Sequence, residues 1–286
     1  MTSGSLAQLA CVLEVTSRKP GNVHRYRDFA DTSYLDFLLS AQALAGPLDR
    51  ATEIGIGRSV LDCVIATQKW VDNNTNLGMI LLLAPLAAVP SGLALPQGVR
   101  DVLAATMVED SRLVYEAIRR AKPGGLGSAD IEDVHKEPTI SLVETMRLAA
   151  DRDIIARQYT TGFDDIFEVA VPSLRSAIVA GKTWETAVVR TFLEFLARTP
   201  DTLIARKLGS AEAEAASRKA DEVLQGGWPD HREGIERFRS FDLWLREEGH
   251  GRNPGATADI IAATLFVALR DGTIRLPLEN EPGDHF

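Results

Sequence analysis

The chain has 286 residues, 45% hydrophobic and 25% charged, a balance that excludes wholesale disorder and fibrous repeats and can bury a core unaided. Forty acidic side chains against 31 basic ones leave a net charge of −9. No run of Lys and Arg exceeds two residues, so the basic stripe that a phosphate backbone needs is missing and nucleic acid is not an expected partner.

Aromatic residues make up only 6% while Ala and Leu dominate, which favours helix. Apolar residues recur at helical spacing from the start: Leu6, Leu9 and Leu13, then Leu35, Leu38 and Leu39, then Val60 and Val64. Ser33 and Asp36 form a capping-box pattern ahead of a helix over 34–45, with Asp in place of the usual Glu or Gln. Residues 77–89 are the longest nearly apolar stretch. They fall short of the ~20 residues of a membrane span and contain Pro85, so a buried core helix is expected there. Further helices are predicted over 99–120, 140–157, 165–180, 184–197, 211–224 and 256–269, and Ile235, Phe238 and Leu245 mark another. Strand-like alternation is hard to find, and no fixed period repeats. The expected architecture is all-α: a single globular multi-helix domain of about ten helices over 1–275, with a flexible tail over 276–286. Cys11 and Cys63 lack CxxC spacing, so neither a disulfide framework nor a zinc knuckle is encoded and a reducing compartment fits. With no secretion signal at the N-terminus, a cytoplasmic location is expected. An Ala-rich helical surface leaves self-association into a homo-oligomer open, although no coiled-coil heptad is present.

Polar residues collect in the turns, where Asn, Asp, Thr, Lys and Gly recur. Lys19-Pro20-Gly21-Asn22 opens a segment that continues through His24, Arg25 and Arg27 to Asp28 and Asp31. It is either an ordinary solvated loop or a phosphate site built on Lys19 and exposed backbone N–H groups. Asp72-Asn73-Asn74-Thr75-Asn76-Leu77-Gly78 runs straight into the apolar helix. Helix capping accounts for one or two of these side chains, while the whole run can offer neutral donors and acceptors to a sugar or base. Lys122-Pro123-Gly124-Gly125 marks a turn, and Gly124-Gly125-Leu126-Gly127, followed by Asp130, Glu132, Asp133 and His135, reads as a solvated acidic loop or a Mg²⁺ site, and not as a Walker A loop. In the fourth group, Asp201 resembles an N-cap, with Arg206 and Lys207 facing water or an anion. The fifth, Asn253-Pro254-Gly255-Ala256-Thr257-Ala258-Asp259, reads as a helix start with Asn253 as N-cap and Pro254 at the first helical position. Asp259 is the least easily dismissed acid, because a carboxylate on an apolar helix needs a partner, a metal or a ligand. HExxH, GxSxG and GxGxxG patterns are all absent, which removes the usual zinc, nucleophilic-hydrolase and dinucleotide signatures.

In order along the chain, four stretches resemble the triphosphoribosyl-dephospho-CoA synthase family: Leu13-Glu14-Val15-Thr16 leading into Lys19-Pro20-Gly21-Asn22-Val23; Asn74-Thr75-Asn76-Leu77-Gly78; Asp201-Thr202 with Arg206; and Pro254-Gly255-Ala256-Thr257-Ala258-Asp259. The resemblance implies an all-helical enzyme that uses ATP and Mg²⁺ to join a triphosphoribosyl group to dephospho-CoA, with release of adenine. An oxocarbenium-like transition state at the ribose anomeric carbon would follow. On that reading Lys19 and Arg206 neutralise phosphate, assisted by Gly21, Asn22, Asn253, Gly255 and Thr257 around the nucleotide. Asn74, Thr75, Asn76 and Gly78 hold the nucleoside, Asp28, Asp201 or Asp259 serves as base, and Asp31, Asp201 and Asp259 hold the metal.

Two departures stand out. Family synthases commonly carry Asn-Thr-His-Lys-Gly where this chain has Asn74-Thr75-Asn76-Leu77-Gly78, and their His-Lys-Asp-rich segment is replaced by Arg25-Tyr26-Arg27-Asp28-Phe29. The pattern resembles a branch of the family found in methanogens and in one-carbon oxidisers that use tetrahydromethanopterin. The alternative acceptor is therefore a pterin- or furan-type one-carbon carrier precursor, reached by an ATP-using or phosphoribosyl-transfer step. A non-catalytic helical nucleotide-binding or scaffold protein is the competing class.

Overall fold

Helix α5 (Leu77–Ala88) is apolar on every face, and all of it except Gly78 is buried, the pattern of a helix surrounded by protein. It packs on α15 (Gly255–Arg270), whose residues from Ala256 to Leu269 are buried except Asp259. These two helices form the centre of a computed structural model that describes residues 1–124, 132–247 and 249–278. Around them lie α1 (Ser3–Thr16), α2 (Tyr34–Asp49), α3 (Ala51–Ile54), α4 (Ile56–Thr67), α6 (Leu95–Ala104), α7 (Val108–Ala121), α8 (Leu142–Arg147) and α9 (Ile154–Thr161). A π-helical turn (Asp165–Ala170) leads into α10 (Val171–Val179), and α11 (Trp184–Arg198), α12 (Thr202–Leu208), α13 (Ser210–Gln225) and α14 (Arg232–Arg246) complete the set. α1 packs between α2 and α15, α4 lies against α7, and α13 bridges α11, α12 and α14. The buried apolar side chains of all these layers form one contiguous core.

The all-α expectation holds: among the described residues there are fifteen α-helices and no strand. The surplus over about ten comes from the short helices α3 and α12, which no predicted range covers, and from two breaks that periodicity does not register. The helix predicted over 99–120 is split before Asp110, whose Oδ2 accepts the Met107 N–H at 2.8 Å and starts α7. That predicted over 140–157 is split by Asp153, whose Oδ1 caps α9 through the Ile155 N–H at 2.8 Å. The Ser33–Asp36 box forms as expected, with the Ser33 N–H donating to Asp36 Oδ2 at 2.7 Å and the Asp36 N–H to Ser33 Oγ at 3.2 Å. At α15 the expected cap is wrong. The helix begins at Gly255 without a side-chain cap from Asn253, and the Thr257 N–H donates instead to Asp201 Oδ2 at 2.7 Å. Among the described residues no helix is long and apolar enough to cross a membrane. Both cysteines are free and buried.

Candidate functional site

Helices α5, α9 and α15 all begin at one cavity of about 430 Å³, walled also by the segments at 22–32, 73–76 and 122–124 and by α12. Helix N-termini expose N–H groups and the positive end of the macrodipole, so their convergence favours an anionic ligand. The side chains add charge of both signs: Glu14, Asp31, Asp153 and Asp259 face Lys122, Arg206, Lys207 and His250. Several are already paired. Arg206 Nη1 lies 2.9 Å from Asp153 Oδ2, His250 Nε2 lies 3.8 Å from Asp31 Oδ2, and Lys207 Nζ donates to the His250 carbonyl at 3.2 Å. Burial, and then the neighbouring Arg206, pull the Lys207 ammonium below its ordinary value.

Asp259 is different. It is partly buried in the cavity wall, and its carboxylate has no hydrogen bond or ion pair among the described residues. Burial pushes its pKa well above the usual carboxylate range; the negative charges of Glu14, Asp201 and Asp153 push the same way, and Arg206 opposes them. The backbone of α5 makes room for it, since a Cβ at Gly78 would overlap Asp259 Oδ2. A carboxyl group of raised pKa, without a partner among the described residues and facing a cavity lined by charges of both signs, suits proton transfer to a bound ligand.

Glu14 is buried at 3% exposure on α1 and lines the same cavity. Its Oε1 lies 2.9 Å from Lys19 Nζ. Burial raises the Glu14 pKa more than Lys19 lowers it.

Among the site residues predicted from sequence, Asn22, Asp31, Asn74, Thr75, Asn76, Gly78, Arg206, Asn253, Gly255 and Asp259 line this cavity. The polar run also holds structure. Asn74 Oδ1 accepts the Leu77 N–H at 3.2 Å, Thr75 Oγ1 meets Ser40 Oγ at 2.6 Å, and Asn76 Nδ2 donates to Thr67 Oγ1 at 3.3 Å. The Asn253 Oδ1 atom is buried without a hydrogen-bond partner.

Five predicted residues lie elsewhere. Lys19 is 0% exposed and donates to Ser17 O, to the Glu14 carbonyl and to the Glu14 carboxylate, so its charge is consumed inside the fold. Asp201 is 2% exposed; Oδ1 accepts the Leu203 and Ile204 N–H groups at 2.8 and 3.1 Å, and Oδ2 accepts the N–H and hydroxyl of Thr257, both at 2.7 Å. With two donors on each oxygen, Asp201 and Thr257 tie α12 to α15. Asp28 is exposed and caps Tyr34 N at 2.6 Å. Gly21, at φ +73°, serves the turn, with its N–H on Asp242 Oδ1 at 2.8 Å.

The predicted metal set of Asp31, Asp201 and Asp259 therefore does not assemble. Among the described residues no three His, Cys, Asp or Glu side chains converge on one point. Lys122, Pro123 and Gly124 of the glycine-rich segment reach the cavity, whereas 125–131 lie outside the described residues, as do 279–286 of the expected tail.

Sequence reasoning missed Glu14, Asp153 and Lys122 as cavity residues. For Glu14 the signal was available: like Asp259, it is an acid in an otherwise apolar helix. Asp153 was hidden inside an expected continuous helix.

Residues 1–276 match the family model CitG, described as ATP:dephospho-CoA triphosphoribosyl transferase. The chain is 25% identical over 285 residues to a protein of Malonomonas rubra named "Probable 2-(5''-triphosphoribosyl)-3'-dephosphocoenzyme-A synthase", covering 93% of this chain and 86% of the relative. A protein of the same name from Pectobacterium carotovorum is 31% identical over 104 residues, 36% of this chain and 32% of that one. Among solved structures, a provisionally named triphosphoribosyl-dephospho-CoA synthase from Archaeoglobus fulgidus superposes with a TM-score of 0.65 at 26% identity, over 82% of this chain and 99% of the other. These matches favour neither the one-carbon-carrier reading nor the non-catalytic scaffold.

Proposed function

The chain belongs to the ATP:dephospho-CoA triphosphoribosyl transferase family, and from that premise we propose that the cavity at the start of α5, α9 and α15 is where ATP gives up its adenine, with residues 1–275 as one catalytic domain working in the cytoplasm. The enzyme is a transferase. In the reaction the C1′–N9 bond of ATP breaks, adenine leaves with the bonding pair, and a C1′–O bond forms to a ribose hydroxyl of dephospho-CoA. The hydroxyl proton balances the charge on adenine, so no phosphate is released.

The observation that carries this reading is the Asp259 carboxylate, without a partner among the described residues, in the wall of a cavity that also holds Arg206, Lys207 and Lys122. Its raised pKa makes it a stronger base than an ordinary carboxylate, placed to take the hydroxyl proton as C1′ develops positive charge. Arg206 and Lys207, with the helix N-termini, offset the triphosphate charge. Asn74 and Asn76 keep free amide valences for the sugar or base, beyond the single bond that each makes within the fold.

Mg²⁺ fits as an ion carried in by the nucleotide, since it needs only one or two protein carboxylates besides phosphate oxygens. Asp31, exposed at the cavity rim, is suited to supply one. When bound, Mg²⁺ spreads the triphosphate charge.

The test is incubation of the purified chain with ATP, Mg²⁺ and dephospho-CoA, following free adenine and inorganic phosphate. One adenine for each acceptor consumed, with no phosphate, is expected. Phosphate release, or adenine release independent of acceptor, would reject the assignment.

Gly78→Ala is a sharper probe of the geometry. Its Cβ would drive the Asp259 carboxylate from its seat, and displacements of this size cost about 10²-fold in rate. Added to Asp259→Asn, the change should bring little further loss, because the two act through one group.

A further inference from the structure

We propose that dephospho-CoA docks its pyrophosphate in a second cavity, of about 760 Å³, lined by α4, α7 and the 72–76 segment and adjoining the first along Asn73, Asn74, Asn76 and Lys122. This assignment rests on the transferase reading above and adds where the acceptor sits.

Two anionic substrates have to meet at one carbon. The first cavity is of a size for a single ligand of ordinary dimensions, since binding pockets span about 300–1,000 Å³. The acceptor carries a pantetheine arm besides its adenosine diphosphate and needs the larger space. The two cavities share a wall of three asparagines and one lysine. Neutral amides at that wall can orient a ribose hydroxyl without charge repulsion.

Charge points the same way. The second cavity presents Arg119, Arg120 and Lys122 against Asp72 and Glu116. Arg120 pairs with Glu116 Oε1 through Nε at 2.9 Å and Nη2 at 2.8 Å, and Arg119 commits Nη1 to the Val134 carbonyl at 2.6 Å. Arg119 keeps further N–H groups, and the Lys122 ammonium has no partner among the described residues. Two arginines in the last turn of α7 also complement its macrodipole, which accounts for their position on the helix but not for Lys122.

Lys122 carries the independent observation. It sits in the left-handed region at φ +48° and ψ +55°, at the C-terminus of α7 and directly before Pro123. Glycine is the residue that adopts this conformation without strain, and the residue before a proline prefers extended backbone. A non-glycine residue held in this conformation and lining both cavities is a candidate for a functional position. Placed at the junction, Lys122 can contact the acceptor's pyrophosphate and the donor's triphosphate together.

The test uses the full chain with Arg120→Ala and Lys122→Gly, the second of which relaxes the backbone and so favours the fold. Binding of dephospho-CoA alone is read by calorimetry, and KM values for ATP and dephospho-CoA by adenine release. Loss of one charged contact corresponds to roughly a tenfold or greater weakening. The expected result is that weakening for dephospho-CoA in both variants, with KM for ATP unchanged in Arg120→Ala. Unchanged dephospho-CoA affinity in both variants, or a rise confined to KM for ATP, overturns the proposal. Absence of adenine release by the unaltered chain would instead refute the transferase reading, and the calorimetric comparison would still decide whether this cavity takes the nucleotide pyrophosphate.

Discussion

Asp259→Asn is expected to lower the rate of adenine release by about 10²- to 10⁴-fold, the usual contribution of a positioned general base, while the fold persists. The substitution keeps the volume of the side chain and its seat over Gly78, so packing is undisturbed. It removes a carboxylate whose pKa burial and the charges of Glu14, Asp201 and Asp153 hold well above the ordinary value. A folded-state pKa above the unfolded one means that the folded protein binds the proton more tightly. The stability contributed by this group is complete below the ordinary carboxylate range and is lost as pH rises through the folded pKa. The asparagine variant should lack that part of the loss and melt at the same temperature or higher at neutral pH. Thermal melts across the pH range, alongside adenine release, check both halves. Retained turnover would remove Asp259 from the mechanism, and a collapsed fold would mean that the carboxylate is structural.

The second large effect concerns stability. Lys19→Met should destabilise the fold by about 3–5 kcal/mol, as expected when one partner of a buried ion pair is removed. Lys19 is 0% exposed and Glu14 3%, with Nζ 2.9 Å from Oε1, so Glu14 would be left without its neutralising partner. Burial already raises the Glu14 pKa against the pull of Lys19, and without Lys19 it rises further. The deficit should therefore be smallest in acid, where Glu14 accepts a proton, and should grow as pH increases. Lys19→Met with Glu14→Gln should recover most of it, because replacing both members of a buried pair is far milder than breaking it. Urea unfolding of the single and double variants measures this. If Lys19 were instead a phosphate ligand, the single variant would keep its stability and show a raised KM for ATP.

Glu14 links these two predictions. Facing the cavity on one side and Lys19 on the other, it places a negative charge near Asp259, and Lys19 partly compensates that charge from within the fold. The lysine of the Lys-Pro-Gly turn thus affects the site through Glu14, although its ammonium never reaches the cavity.

Much of the architecture was legible in the one-dimensional pattern because burial of an apolar face imposes its period on the chain. The all-round apolarity of 77–89 marked the central helix, and the isolated acid at Asp259 marked the site, since a carboxylate in such a helix is kept only for a partner or a ligand. The breaks at Asp110 and Asp153 were not legible, because both residues cap helices inside stretches whose apolar spacing continues across the gap.

Asp201 and Lys19 show what the tertiary structure alone decided. Residue type made both look like ligands, but whether a charged group serves a substrate or the fold depends on which donors and acceptors the folded chain places around it. Thr257 occupies Asp201 Oδ2 across 56 positions, and the turn after α1 folds the Lys19 ammonium back onto Glu14. Lys122, in sequence only the first residue of a Pro-Gly turn, gains its place between two cavities because α7 ends beside the segment that leads into α5. Local composition determines which segments are helices and which acids are out of place; hydrogen-bond saturation and shared cavities depend on packing between distant segments, which no local pattern encodes.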